Sequence, residues 1–423
     1  MCRNEEFIKE IFHYFINDPC KYTTNNVIKR HTKNLSEFGD YSFPINTQNW
    51  AQFLPPLQHL SVDNIFDYRQ RCDDKFESIT DHIKDFVQNS RKWTLQIEQA
   101  VINDTRCAIF LNRYSAFQLT LTTVLNNPNY GCYEGDQTYA VVRNDTDPGD
   151  KEPLTKYRCR VIQNVIVNLT KHLKGSTQKS LYVTHKSTDS GAPQGSTKIL
   201  VGNVTSTDNK VLNVDATDYI QKRSVDMQLM AQHKYGLRVK NELFFQNLIN
   251  SLGKAAVTID LLEVRPSGSL KLNMSGCSTG RSKGASFILY NSARIETLLK
   301  KYDHGVATKF YPETPPLDRV DLALLKEEEE WILLFNYVLA YPSLINQTIG
   351  ENNKLTFSLH LLCMFLSGLA STFSIYYART RILTENRPQL MPALHARIYL
   401  LKSIQIILNK CLAILNIDPV KQM

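Results

Sequence analysis

Between Lys354 and Arg379 the chain carries no lysine, arginine, aspartate or glutamate. A stretch of that length can cross a bilayer, which takes about 20 apolar residues, or it can lie as a buried helix inside a bundle. Thr356, Ser358, His360, Ser367, Ser371, Thr372 and Ser374 interrupt it, and most of these would go unpartnered in lipid. A buried helix without membrane contact is therefore expected. The neighbouring segments agree, because 287–302, 322–339 and 392–415 also repeat apolar residues every three or four positions. In the last of them Leu394, Ile398, Leu401, Gln405, Leu408 and Leu412 form one stripe, with Arg397, Lys402 and Lys410 mostly off it. The acidic run Glu327–Glu330 falls in the first turns of 322–339, where carboxylates oppose the positive end of the helix dipole, so it reads as a cap and not as a metal site.

Upstream the pattern is mixed. Phe7, Ile8, Ile11, Phe12 and Phe15 share one face of an amphipathic helix that contains Glu5, Glu6 and Glu10, which is unlike a signal peptide. The segment 105–125 mixes strand and helix periodicity, and 127–152 has the Gly, Asn, Asp and Pro density of a linker. A helix is expected around 156–173, strands at 180–185, 197–204 and 257–264, and helices within 228–252. Ser275–Gly280, which includes Cys277, reads as a flexible connecting loop. The 9 cysteines are scattered without a C-x-x-C pair, which argues for reduced, buried thiols and against disulfides or structural zinc. A cytoplasmic location is expected.

With 43% hydrophobic and 21% charged residues the chain is not a disordered one. Its net charge of +8 is mild, but it is unevenly placed. From residue 354 on, Lys354, Arg379, Arg381, Arg387, Arg397, Lys402, Lys410 and Lys421 face only Glu385 and Asp418. Most of the excess therefore lies on the last helices. Tyr376, Tyr377 and Tyr399 interleave with these cations. Cations attract phosphates and aromatic faces stack on unpaired bases, the combination that single-stranded RNA loops require.

The order of the C-terminal helices resembles the DALR anticodon-binding domain of arginyl-tRNA synthetases. The likeness is carried by Tyr290, Ala293 and Arg294, by Glu330–Trp331, by Leu369, Ala370, Phe373, Tyr377 and Ile382–Leu383, and by Ala396–Ile398 with Leu412–Ile417. TRCAIFLNRY (105–114) resembles the end of the synthetases' N-terminal additional domain. LTKYRCRVIQNVIVNLTKHL (154–173) resembles the helix that opens at their H-x-G-H signature. On that likeness Arg158 is kept, while the two histidines fall on Pro153 and Lys156 and the glycine on Thr155. The later Gly-Asp falls on Gln163 and Asn164. Of the second ATP signature only Lys210 stands near its place. The histidines and glycine grip ATP phosphates during adenylate formation, and a proline cannot donate in their stead. Too little chain separates the two signatures to complete a nucleotide-binding fold.

The segments 282–294, 311–336 and 385–390 are similar to the DALR anticodon-binding domain-containing protein 3 family. That resemblance implies a non-catalytic, cofactor-free tRNA-binding adaptor. Such an adaptor recognises arginine tRNAs and presents them to the methyltransferase that makes 3-methylcytidine in the anticodon loop. The expected architecture is multidomain α+β. It comprises an N-terminal domain (1–126), a linker (127–152), a degenerate and truncated synthetase-like α/β region (153–285) and an all-α DALR helical bundle (286–423). Tyr376, Tyr377, Arg379, Arg381, Arg387, Arg397, Lys402 and Lys410 are the expected tRNA-binding residues, with no catalytic residue, no metal site and no DNA partner. A divergent arginyl-tRNA synthetase-like enzyme and a protein scaffold without direct RNA binding are the alternatives.

Overall fold

A computed structural model describes residues 3–16, 27–54, 62–72, 78–134, 137–142, 151–186, 188, 191–235, 242–274, 282–350 and 355–420. Part of the expected linker (143–150), the Ser275–Gly280 loop with Cys277, Lys354 and Lys421 lie outside them. The chain forms two compact units, Met1–Asn126 with Val320–Ala340, and Asn127–Arg319 with Tyr341–Met423.

The first unit opens with α1 (Arg3–Phe15), which buries Phe7, Ile11, Phe12 and Phe15 as expected and leaves Ile8 half-buried. β1 (Lys29–Arg30), β2 (Tyr41–Pro44), β3 (Ile97–Asn103) and β4 (Arg106–Leu111) make an antiparallel sheet in the order β1-β2-β4-β3. The short α2 (Leu35–Phe38) joins β1 to β2 and ends at Gly39, φ 75°. A Cβ there would meet the Ile109 carbonyl oxygen at 2.6 Å, so the position takes only glycine. α3 (Ile65–Cys72) and α4 (Ile79–Asn89) cross between β2 and β3. Phe12, Phe15, Phe43, Trp50, Phe66 and Phe86 pack mainly edge to face beneath the sheet. The ambiguous segment 105–125 resolves at Asn112. Its Oδ1 accepts the Ser115 N–H (2.9 Å), capping α5 (Arg113–Asn126) directly after β4.

The second unit begins with β5 (Tyr133–Glu134), β6 (Gln137–Val142) and α6 (Leu154–Thr170), followed by β7 (Leu173–Lys174), β8 (Thr177–Thr184) and β9 (Thr197–Leu200). β6, β8 and β9 form a three-stranded parallel sheet with α6 as a crossover, and β5 pairs with β7. This is a short α/β layer of the expected kind. The strand expected over 197–204 breaks after Leu200 and resumes as β10 (Val204–Thr205), which pairs with β11 (Leu270–Lys271).

α7 (Ala216–Tyr235) and α8 (Glu242–Leu262) lie between those strands. The strand expected at 257–264 is thus mostly the end of a helix. Its β-branched residues suggested a strand, but Ala256, Val257, Asp260 and Leu261 are buried at helical spacing. Asp260 accepts bonds from Tyr219 Oη (2.8 Å) and Arg223 Nη2 (3.2 Å), and Arg223 Nη1 also reaches Asp226 (3.1 Å). This closed polar cluster fixes the register of α8 on α7.

α9 (Ser282–Ala307) packs on α8, α12 and α13. The chain next enters the first unit as α10 (Glu328–Ile332). Glu330 Oε2 accepts the Glu327 N–H (3.0 Å) in a capping box, the role expected of the acidic run. A π-helical turn follows over Leu333–Val338 and stacks Phe335 on Trp331 (5.3 Å, 12°). Arg30 lies 4.3 Å over the Phe335 ring and donates to the Phe335 carbonyl (2.6 Å), an acceptor that the wider turn presents. Trp331 Nε1 donates to buried Asp40 (2.8 Å), which also accepts the Leu111 N–H (2.8 Å). These contacts explain why Val320–Ala340, expected within the helical bundle, belongs to the first unit.

Burial pushes the Asp40 carboxyl up to about 6 against both hydrogen bonds. The folded protein thus holds this proton more tightly than an unfolded aspartate near 3.9. Its contribution to stability is greatest below about pH 4 and falls as pH rises through about 6. The stability of wild type relative to Asp40→Asn, measured by urea unfolding, is expected to fall between pH 4.5 and 7.5. A constant difference would contradict this.

α11 (Tyr341–Ile349), α12 (His360–Arg379) and α13 (Met391–Ile414) complete the second unit. α12 is long and apolar enough to cross a membrane by length and composition. One of its faces, Leu362, Leu366, Leu369, Phe373 and Tyr376, is wholly buried in the bundle.

Candidate nucleic-acid interface

The C-terminal end of α12 and the first half of α13 set the basic residues at one edge of the bundle. Arg379 closes α12, and the Thr380 N–H still reaches the Tyr376 carbonyl (2.8 Å) before the chain turns extended. Ile382 is buried and anchors the connector, while Arg379, Arg381 and Arg387 are exposed. Arg397, half-buried on α13, reaches back to the Arg381 carbonyl (3.4 Å) and so ties α13 to the connector that carries Arg381. Arg387 shares its charge with Glu385 at 2.7 Å, which leaves it the weaker phosphate contact.

Three tyrosines hold a loop against this edge. Tyr311 stacks on Tyr302 (5.5 Å, 25°) and its hydroxyl donates to the Thr384 carbonyl (2.6 Å). Tyr399 donates to the Pro315 carbonyl (2.7 Å), with Lys402 Nζ 5.7 Å from the Tyr399 ring centre. Phe310 stands edge-on to Tyr311 (4.8 Å) and is 52% exposed. The left-handed Lys309 (φ 60°) turns the chain immediately before it.

The eight expected residues do not share one role. Tyr377 is 40% exposed, with the Arg294 guanidinium 4.3 Å over its ring. The same guanidinium lies 4.5 Å from the Tyr290 ring centre, and its Nη2 takes the Tyr290 hydroxyl as acceptor (2.8 Å). Tyr290, Arg294 and Tyr377 thus form a cation–π cluster between α9 and α12. Tyr376, expected as an alternative base-stacking residue, is fully buried. One residue is a 100° step round a helix, and that step puts Tyr376 in line with Phe373 and Leu369. Lys410 is also corrected. Its ammonium donates to the Pro128 (2.6 Å) and Tyr130 (3.0 Å) carbonyls, and burial lowers its pKa, so it pins the 128–130 turn instead of facing phosphate.

Arg379, Arg381, Arg397 and Lys402 remain as the basic edge. Sequence reasoning missed Phe310 and the bridging position of Arg294. The adjacent aromatic pair Phe310–Tyr311 after Lys309 was the one available signal.

The catalytic-like region is occupied by structure. Arg158 is fully buried and saturated by carbonyls: Nε by Leu261 (3.1 Å), Nη1 by Gly202 (2.7 Å) and Gly268 (2.8 Å), and Nη2 by Arg265 (3.2 Å). Desolvation lowers its pKa to about 10, which leaves it charged at neutral pH. Thr155 Oγ1 accepts the Val204 N–H (3.1 Å), and the Leu154 N–H pairs with the Val214 carbonyl (3.0 Å). At the start of α6 the Leu154 N–H and the Thr155 hydroxyl are therefore engaged by neighbouring chain, and Pro153 before them has no N–H to offer a phosphate. Lys210 is exposed on a tight turn closed by its own carbonyl and the Ser206 N–H (2.8 Å). Among the described residues no group of three His, Cys, Asp or Glu could hold a metal ion.

Residues 288–423 match the family model of the DALR anticodon binding domain. The chain is 31% identical over 221 residues to the DALR anticodon-binding domain-containing protein 3 of Danio rerio, covering 50% of this chain and 39% of that protein. It is 29% identical to the Mus musculus protein of the same name over 66% of this chain and 52% of that one. It therefore spans about half the length, or less, of these relatives. An arginine–tRNA ligase of Borrelia hermsii is 25% identical over 55% of this chain and 34% of the ligase. In fold the chain resembles Thermus thermophilus arginyl-tRNA synthetase (TM-score 0.62, 10% identity, 100% of both chains). It also resembles the Plasmodium falciparum enzyme (TM-score 0.60, 10% identity, 99% of both).

Proposed function

From the premise that this chain carries a DALR anticodon binding domain and is related to the DALR anticodon-binding domain-containing protein 3 family, we propose that it is a non-catalytic tRNA-binding adaptor. It recognises arginine tRNAs in the cytoplasm and presents them to the methyltransferase that forms 3-methylcytidine in the anticodon loop. It needs no cofactor or metal and engages neither DNA nor a membrane. The observation that carries this reading is the basic edge of the DALR bundle beside two exposed aromatics, Tyr377 and Phe310. Arg379, Arg381, Arg397 and Lys402 draw phosphates to that edge, while Tyr377 and Phe310 offer faces to unstacked bases. Adding the purified chain to arginine tRNA and the methyltransferase is expected to raise 3-methylcytidine formation at least tenfold. An unchanged rate would contradict the adaptor role.

The synthetase-like fold favours a second reading, a divergent arginine-activating enzyme. Arginine-dependent ATP–pyrophosphate exchange separates the two. The buried, carbonyl-bound Arg158 and the donorless Pro153 before α6 support an expected exchange at background level, and measurable exchange would establish the enzyme instead.

A further inference from the structure

The loop that the three tyrosines hold carries Thr314 directly before Pro315 and Pro316. Pro312, Glu313 and Pro316 around it are exposed, and Thr314 itself is half-buried. Its hydroxyl meets the Tyr302 hydroxyl at 2.7 Å, a neutral contact worth about 1 kcal/mol net, so turning the side chain outward about the tethered backbone costs little. Cations lie near its anchors: Tyr311, three residues before, bonds the Thr384 carbonyl on the connector that carries Arg381, and Lys402 lies beside Tyr399, the residue that holds the Pro315 carbonyl. The loop already brings acids to this edge, since Glu313 is exposed and Asp318 acts on Tyr399.

We propose that Thr314 is a phosphoacceptor for a proline-directed protein kinase, and that its phosphate competes with tRNA for Arg381 and Lys402. In the transfer, Thr314 Oγ1 bonds to the γ-phosphorus of ATP and the bond to the β–γ bridging oxygen breaks. ADP departs, and the hydroxyl proton passes to the kinase's base. The product carries a charge of about −2 and strong acceptor oxygens. It cannot return to Tyr302, which is 1% exposed, without losing its hydration. It therefore stays at the surface, where the nearby cations pair with it. The modification would switch tRNA binding off at the site proposed above, and the inference rests on that reading.

The test treats the full chain and its Thr314→Ala variant with a proline-directed kinase and ATP, maps phosphate by mass spectrometry, and titrates arginine tRNA at several salt concentrations. Expected are stoichiometric phosphate on Thr314, about tenfold weaker binding, and a salt slope smaller by about 1 to 2. Thr314→Val, which loses the Tyr302 contact without gaining charge, is expected to bind within about twofold of wild type. An unmodified Thr314, or a modified one with unchanged affinity, overturns the proposal while tRNA binding by the untreated chain stands. Absence of tRNA binding by the untreated chain sinks the adaptor reading and this inference with it.

Discussion

Replacing Arg379, Arg381 and Arg397 together by glutamate is expected to weaken binding to arginine tRNA on the order of a hundredfold or more at moderate salt, about 3 kcal/mol. The slope of log affinity against log salt should fall by about 2 to 3, because each cation that neutralises a phosphate releases close to one counterion. The three guanidinium groups lie at the surface or half-buried. Their replacement should leave the buried stripe Leu362–Tyr376 and its packing intact, and the melting temperature should move by no more than a few degrees. Tyr377→Ala is expected to cost less, about 1 to 3 kcal/mol, with the salt slope unchanged, as for a lost stacking contact. An unchanged slope in the triple variant would place the RNA on another surface.

Arg158→Met is expected to lower stability by about 3 to 5 kcal/mol. The substitution keeps much of the apolar stem but leaves the Gly202, Leu261, Arg265 and Gly268 carbonyls without the donor that now joins them. Arg158→Lys should recover only part of the loss, since one ammonium cannot span acceptors arranged around a planar guanidinium. Urea unfolding followed by far-ultraviolet circular dichroism measures both. A loss below 1 kcal/mol in the methionine variant would show that these carbonyls are satisfied without Arg158. The residue kept from the synthetase pattern thus has a structural duty.

Much of this molecule was legible in its sequence because the C-terminal helices follow a strong three-and-four apolar period. Leu394, Ile398, Leu401, Leu408 and Leu412 are all buried as that period requires. The α/β layer was legible only in part. Val257–Leu262 carries strand-forming residues, and its helical state is set by Arg223 and Tyr219 on α7, partners distant in the sequence. Val320–Ala340 could not be assigned to the first unit from its own pattern, because Asp40 and Arg30 hold it there. At the candidate site, charge could be counted along the chain but its partners could not. Lys410 and Arg397 look alike in sequence, yet one ends on two backbone carbonyls and the other beside Arg381. The choice between Tyr376 and Tyr377 was a matter of helix phase, which the stripe from Leu362 settles.

Ultraviolet cross-linking in cells, with sequencing of the attached RNA and mass spectrometry of the attached peptide, reads out both which RNA this chain holds and where. Arginine tRNAs are expected as the dominant RNA, joined through their anticodon arm to peptides containing Phe310 or Tyr377. Cross-links confined to other RNA classes, or to peptides outside residues 286–423, would contradict it.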